Sequence, residues 1–262
     1  MNGYRAPTQS LARRRKPLPR FAPPWSFTMF HALARLALRR AALQGARLLV
    51  LATLASPVMA AAPLPPALQN ELDRAVIAYE SGQLPAAQKA FEALARRGVA
   101  AAQYNLAVMH LQGEVPKPDR TRARGLLQQA AEGGFVTAQF MLAQALENGE
   151  LGPRDLALAH RWYEVAAEAG STEAQLAMGT GHYLGRGLPK DAARAVHWFR
   201  EAAKGGDVGA MYLLASMYEQ GDGVERDLRL ARYWYGVAAQ NGDRAAPGKL
   251  REIDVLLGSQ PS

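Results

Sequence analysis

The chain has 262 residues, 49% of them apolar and 21% charged, with a formal net charge of +8 and no cysteine. Without cysteine there is no disulfide framework, no thiol nucleophile and no cysteine-based metal site, so packing alone must hold the fold. The positive charge suggests a nucleic-acid partner until it is located. Residues 1 to 60 hold ten Arg or Lys and no Asp or Glu, which leaves 21 basic against 23 acidic residues beyond them and no cationic surface for phosphates.

The N-terminal segment, residues 1 to 62, reads as an extension followed by a signal peptide. The arginine-bearing stretch HALARLALRRAALQGAR precedes the uncharged run LLVLATLASPVMAAA, which ends in small residues. Val58 and Ala60 fit the −3 and −1 positions of a cleavage site, and Met29 opens a more ordinary signal peptide than Met1 does. The expectation is a start at Met29, cleavage near Ala60 and an exported, periplasmic product. The alternative is an inner-membrane anchor over residues 48 to 62, although the apolar run is shorter than the ~20 residues a spanning helix needs.

Residues 63 to 98 form a short unit with two helical patterns separated by Gly82 and closed by Gly98. From residue 99 the chain repeats every 36 residues without insertion, over 99 to 134, 135 to 170, 171 to 206 and 207 to 242. A fixed period of this kind predicts a stacked one-dimensional array. Ala102, Ala138, Ala174 and Ala210 open the first half of each unit, and Gly113, Gly149, Gly185 and Gly221 close it. The second half starts at Asp119, Asp155, Asp191 and Asp227 and ends at Gly134, Gly170, Gly206 and Gly242. Ala159, Trp162, Tyr163, Ala166 and Ala167 follow the spacing of an apolar helix stripe. The aspartate sits where an N-cap belongs, and the glycine where a left-handed residue ends the helix. Residues 243 to 262 restart the first helix with Ala246 and Leu250 in register but lack a second half. Arg251, Glu252 and Asp254 there suit the polar outer face of a terminal cap.

These columns resemble the Sel1-like repeat, a relative of the tetratricopeptide repeat. The unit 171 to 206 fits best, with Gly179, Gly185, Gly187, Asp191, Ala195, Trp198, Phe199, Ala202, Ala203 and Gly206. Leu126 and Leu127 replace the aromatic pair in the first full unit, and Val115 and Leu151 replace the second loop glycine in two units, which leaves those loops' geometry open. The resemblance implies an all-α fold: a right-handed α-solenoid of four repeats, a divergent N-terminal unit and a C-terminal capping helix, whose first helices line a concave surface. It also implies an adaptor or scaffold, and exported bacterial members of the family are linked to envelope assembly, signalling and host contact.

No constellation for catalysis, cofactor or metal binding breaks the repeat. His110 and His182 share a column with Leu146 and Tyr218 and read as packed residues, whereas His160 and His197 read as solvent-facing. Two histidines of one column lie two units apart, too far for one zinc ion. The loops GRGLPKD and GDGVERD lack the ending and the preceding strand of a phosphate cradle. Trp234 recurs as Trp162 and Trp198, and Tyr235 as Tyr163 and Phe199, which marks both as repeat-to-repeat core; Tyr233 has no such partners.

On the first helix, the columns of Asn105, Val108 and Gln112 lie opposite the packed side. The expectation is a non-enzymatic scaffold that binds a protein or peptide there, through Asn105, Met141, Gln144, Thr180, Leu213 and Ser216, with Tyr233 as a further contact. The alternative is a protein that binds or modifies cell-wall glycans with its aromatics as sugar platforms, which requires exposed indoles.

Overall fold

The computed structural model describes residues 63 to 258. The expected signal segment, with its start at Met29, its cleavage near Ala60 and its alternative anchor over residues 48 to 62, lies outside the described residues. Among those residues there are eleven helices and no strand: α1 Pro66–Glu80, α2 Leu84–Arg96, α3 Ala100–Gln112, α4 Arg120–Glu132, α5 Val136–Asn148, α6 Leu156–Glu168, α7 Thr172–Leu184, α8 Ala192–Lys204, α9 Val208–Gln220, α10 Leu228–Gln240 and α11 Ala246–Gly258. The odd-numbered helices are the first of each unit and the even-numbered the second. Each packs on the helix before it and the helix after it in the chain, and together they make a right-handed α-solenoid. All but α1 are 13 residues long, about 20 Å at 1.5 Å per residue.

Local chemistry fixes both ends of each second helix. The side chain of Asp119 accepts from the amides of Thr121 and Arg122, that of Asp155 from Leu158, that of Asp191 from Arg194 and that of Asp227 from Arg229 and Leu230, at 2.8 to 3.0 Å. At the other end the Gly134 amide donates to Ala131 O and the Phe135 amide to Ala130 O, the paired bonds of a glycine-closed helix, with Gly134 at φ +80°. The same pair recurs at Gly98, Gly170, Gly206 and Gly242. First helices of later units have their own caps: Ser171 accepts from the Ala174 amide, Asp207 from Ala210, and Asp243 from Ala245 and Ala246.

The alanine columns are the contact surface between helices. Ala102, Ala138, Ala174, Ala210 and Ala246 are fully buried, as are Ala123, Ala159, Ala195 and Ala231. With only a methyl group at these places, neighbouring backbones come close while the larger residues interdigitate beside them. Phe91, Leu127, Tyr163, Phe199 and Tyr235 fill the same place in successive second helices, and all are buried.

A glutamine column crosses three of the unit boundaries, with Met211 in its place at the next. Gln103 Nε2 donates to Ala95 O at 3.3 Å, Gln139 Nε2 to Ala131 O at 3.1 Å and Gln175 Nε2 to Ala167 O at 3.1 Å. Each acceptor is a carbonyl in the last turn of the preceding helix, a group that the helix cannot satisfy fully by itself. The periodicity alone gives no role to this column.

His160 is a correction. It is buried rather than solvent-facing, because its ring turns into the next unit. Its Nδ1 donates 2.7 Å to Leu156 O, and the ring lies so close to Gly181 and Gly187 that a side chain at either would meet it. The two loops that lack the second glycine solve their geometry by filling the gap: Val115 is buried in the α1 to α3 core, and Leu151 packs on the core formed from α3 to α7. At the C-terminal end Arg251, Glu252 and Asp254 are exposed, together with Val255 and Leu256.

Two glycines of one unit differ in what a methyl group would do. Gly223 has φ +69°, and a Cβ there would lie 2.3 Å from the carbonyl carbon of Ala192 in the preceding unit, whereas Gly236, inside α10, has nothing within 4 Å. Gly223→Ala should therefore destabilise the protein by about 2 kcal/mol or more, as overpacking against backbone does. Gly236→Ala should stabilise it by about 0.5 to 1 kcal/mol. Urea unfolding of the two variants beside the parent checks both signs.

Candidate functional site

One side of the first helices is left free by the packing of their neighbours. Positions a helical turn apart define it: Thr137, Met141, Gln144 and Asn148 on α5; Glu173, Ala177, Thr180 and Leu184 on α7; Gly209, Leu213, Ser216 and Gln220 on α9. Every one of these residues is half-buried or exposed, and Leu184 shows 61% of its surface.

The expected contact residues divide into three groups. Met141, Gln144, Thr180, Leu213 and Ser216 lie on this free face and are half-buried. Asn105 shares their column on α3 but is buried, with its Nδ2 turned back to donate 2.8 Å to Ala101 O, and Val108 beside it is buried too. Tyr233 is 59% exposed but sits on α10, a second helix, so it belongs to a different surface from the other six.

The tryptophans pack rather than present their faces. Trp162 and Trp198 lie partly buried against the core of α3 to α7, and Trp234 against the core of α7 to α11. His197 meets Trp198 edge-on at 4.9 Å between ring centroids, and Tyr233 meets Trp234 at 5.2 Å in the same way. A shallow hollow of about 370 Å³ beside Trp198 is lined by Glu164, Ala193, Arg194, His197 and Trp198. Among the described residues no group of three or more His, Asp or Glu could hold a metal ion, and no helix is long and apolar enough to cross a membrane.

Two carboxylates border the free face, and both are engaged. Tyr163 Oη donates to Glu147 Oε2 at 2.8 Å, and Arg186 of the next unit lies 3.4 Å from Glu147 Oε1. The fourth full repeat has the same arrangement: Tyr235 Oη donates to Glu219 Oε2 at 2.7 Å, and Lys249 Nζ lies 3.2 Å from Glu219 Oε1. Units with Leu127 or Phe199 in the tyrosine's place carry Leu111 or Tyr183 in the glutamate's, so the two positions change together within this one chain. That pairing, 16 residues apart, was the one legible signal of the contact.

Burial, then the bond and charge of the glutamate, push both tyrosine hydroxyls well above their ordinary range. Burial alone pushes Tyr104 up to about 12. His110 moves the opposite way: burial, and next the Arg122 guanidinium, hold it below the usual imidazole range against the weaker pull of Asp119 and Glu92. Its Nδ1 accepts from the Asp119 amide at 3.2 Å, a bond that only the ring unprotonated at Nδ1 can accept. His182 is buried likewise.

Comparison with known proteins places the chain. Residues 100–135, 136–171, 172–207 and 208–243 each match the Sel1 repeat, in a frame one residue later than that used above, and the chain belongs to the Sel1 repeat family. Proteins built from these repeats serve generally as protein-interaction scaffolds, and the fold is typically non-enzymatic. Among solved structures the chain is similar to c5321, a protective antigen present in uropathogenic Escherichia coli strains, with 36% identity and a TM-score of 0.59 over 62% of this chain and 35% of that one. It is also similar to a Sel1 repeat protein from Oxalobacter formigenes, with 30% identity and a TM-score of 0.61 over 64% of this chain and 49% of that one. The chain therefore spans half or less of the length of each. No curated protein matches it.

The perturbed groups give stability a pH dependence at both ends of the scale. Tyr104, Tyr163 and Tyr235 have raised folded-state values, so their contribution is complete below the unfolded value of about 10 and is lost as pH rises above it. His110 has a lowered folded-state value, so its contribution is complete above about 6.5 and is lost as pH falls below it. Urea midpoints measured from pH 5 to pH 11 should fall at both ends. His110→Gln should flatten the acid limb alone, and Tyr163→Phe with Tyr235→Phe should flatten the alkaline limb.

Proposed function

We propose that the chain is a non-enzymatic scaffold of the bacterial cell envelope that holds a protein or peptide on the concave face of its first helices. The observation that carries this reading is the free face of α5, α7 and α9, where Met141, Leu184 and Leu213 place one partly or fully exposed apolar side chain on each successive helix beside neutral polar groups. Helices held by packing on both neighbours need no reordering to receive a partner, which limits the entropic cost of binding. The general scaffold role of Sel1 repeat proteins supports the same reading. The glycan alternative requires exposed indoles, and the half-buried, edge-packed tryptophans weigh against it.

Export to the periplasm is part of the proposal. It rests on the basic stretch, the uncharged apolar run and the small residues at its end. Cleavage near Ala60 would release the repeats, and retention of residues 48 to 62 would tether them to the inner membrane.

Photocrosslinking tests the binding face directly. A photoreactive residue at 180 or 184 in the full chain, expressed in its native cells, should capture a discrete polypeptide, whereas one at 161 on α6 should not. Met141→Glu with Leu213→Glu should weaken that capture by about tenfold or more, the size expected when anchors worth more than ~1.4 kcal/mol are lost, with helicity unchanged by circular dichroism. Capture equal from all positions, or indifferent to the double substitution, contradicts the assignment.

A further inference from the structure

We infer that the segment held on this face is an uncharged, extended stretch of polypeptide; the inference rests on the binding-face reading above and specifies its partner. The face is nearly without net charge, in contrast to the rest of the surface. Across the four columns of the four full repeats Glu173 is the single charged residue, and it stands in the first turn of α7. The outward side of the second helices in the same repeats carries Arg122, Arg161, Glu164, Arg194 and Lys204.

The charges that border the face are closed off. Glu147 is held by Tyr163 and Arg186, and Glu219 by Tyr235 and Lys249, with 21% and 16% of these two glutamate side chains exposed. On α11 the face continues through Lys249 and Glu252, which pair with each other at 2.9 Å. A partner Asp or Glu laid across α5 to α9 would lose water and meet no cation on these columns, and a partner Lys or Arg would meet only Glu173, exposed in the first turn of α7, so charge on the partner costs affinity over most of the face.

What the face does offer is neutral hydrogen bonding. The Gln144 side chain makes no hydrogen bond to another described residue, and the Ser216 hydroxyl accepts from Gln220 Nε2 at 3.1 Å and also bonds the Tyr235 hydroxyl, which leaves it acceptor capacity to spare. Thr180 donates to Leu176 O and keeps its lone pairs. Groups of this kind match the N–H and C=O of an extended backbone, which has no internal partners for them; a helix has already satisfied its own. Met141, Leu184 and Leu213 then take apolar side chains of the same segment.

A selection with a displayed library of random linear peptides against the full chain tests this without knowing the natural partner. The expected pool is depleted in Asp, Glu, Lys and Arg. Its members should lose less than about twofold in affinity when NaCl rises from about 0.05 M to about 0.5 M, a change that sharply shortens the screening length. Gln144→Lys with Ser216→Lys should abolish binding, and Arg161→Glu on the outward side should leave it unchanged. A pool that depends on Gln144 and Ser216 but is rich in charge and strongly salt-sensitive overturns the inference and leaves the binding face standing. A pool indifferent to the double substitution overturns both. Composition and salt dependence are read on the unsubstituted chain, so they stand even where a variant folds poorly.

Discussion

How closely one helix pair can be laid on the next governs everything else in this molecule. The alanine columns leave no side chain between backbones, and the glycine at 223 brings a loop onto the preceding unit where a methyl group would collide with the backbone of Ala192. Hydrophobic burial drives the approach but is non-directional, so it cannot set the register by itself. Directional bonds do that. Gln103, Gln139 and Gln175 each tie their helix to a carbonyl of the helix before it, and Arg186 and Lys249 reach back to glutamates of the previous unit.

The same constraint explains why the first helices carry the candidate binding face. A first helix is covered by the second helix of its own unit and by that of the unit before, which consumes two sides and leaves one. The second helices spend their aromatic residues inward, and their outer side is charged and solvated. The one prominent aromatic outside this pattern, Tyr233, leans edge-on against Trp234 on the far surface, so it does not join the groups on α5, α7 and α9.

Much of the fold was legible because a 36-residue period constrains every column at once. The aspartate caps, the glycine ends and the buried alanines all lie where spacing put them. What spacing did not reveal were contacts between units, because they join columns that are distant in the repeat. His160 shares its column with arginines and looked solvent-facing, yet two glycines of the following unit make room for its ring. Gln103, Gln139 and Gln175 share a column that Met211 occupies in the fourth full repeat, and the glutamines' purpose shows only when the preceding helix end is seen beside them.

The candidate face was legible in part for the same reason. Helical geometry identified the free side correctly for Met141, Gln144, Thr180, Leu213 and Ser216. It could not show that Asn105 turns back to its own helix, since an amide at that place has equal access to solvent and to Ala101 O. The measurement that bears most directly on the central claim is hydrogen exchange of the full chain with and without a bound partner peptide. Protection should gather on 136–148, 172–184 and 208–220. Protection gathered instead on 156–168, 192–204 and 228–240 would contradict the assignment of the binding surface to the first helices.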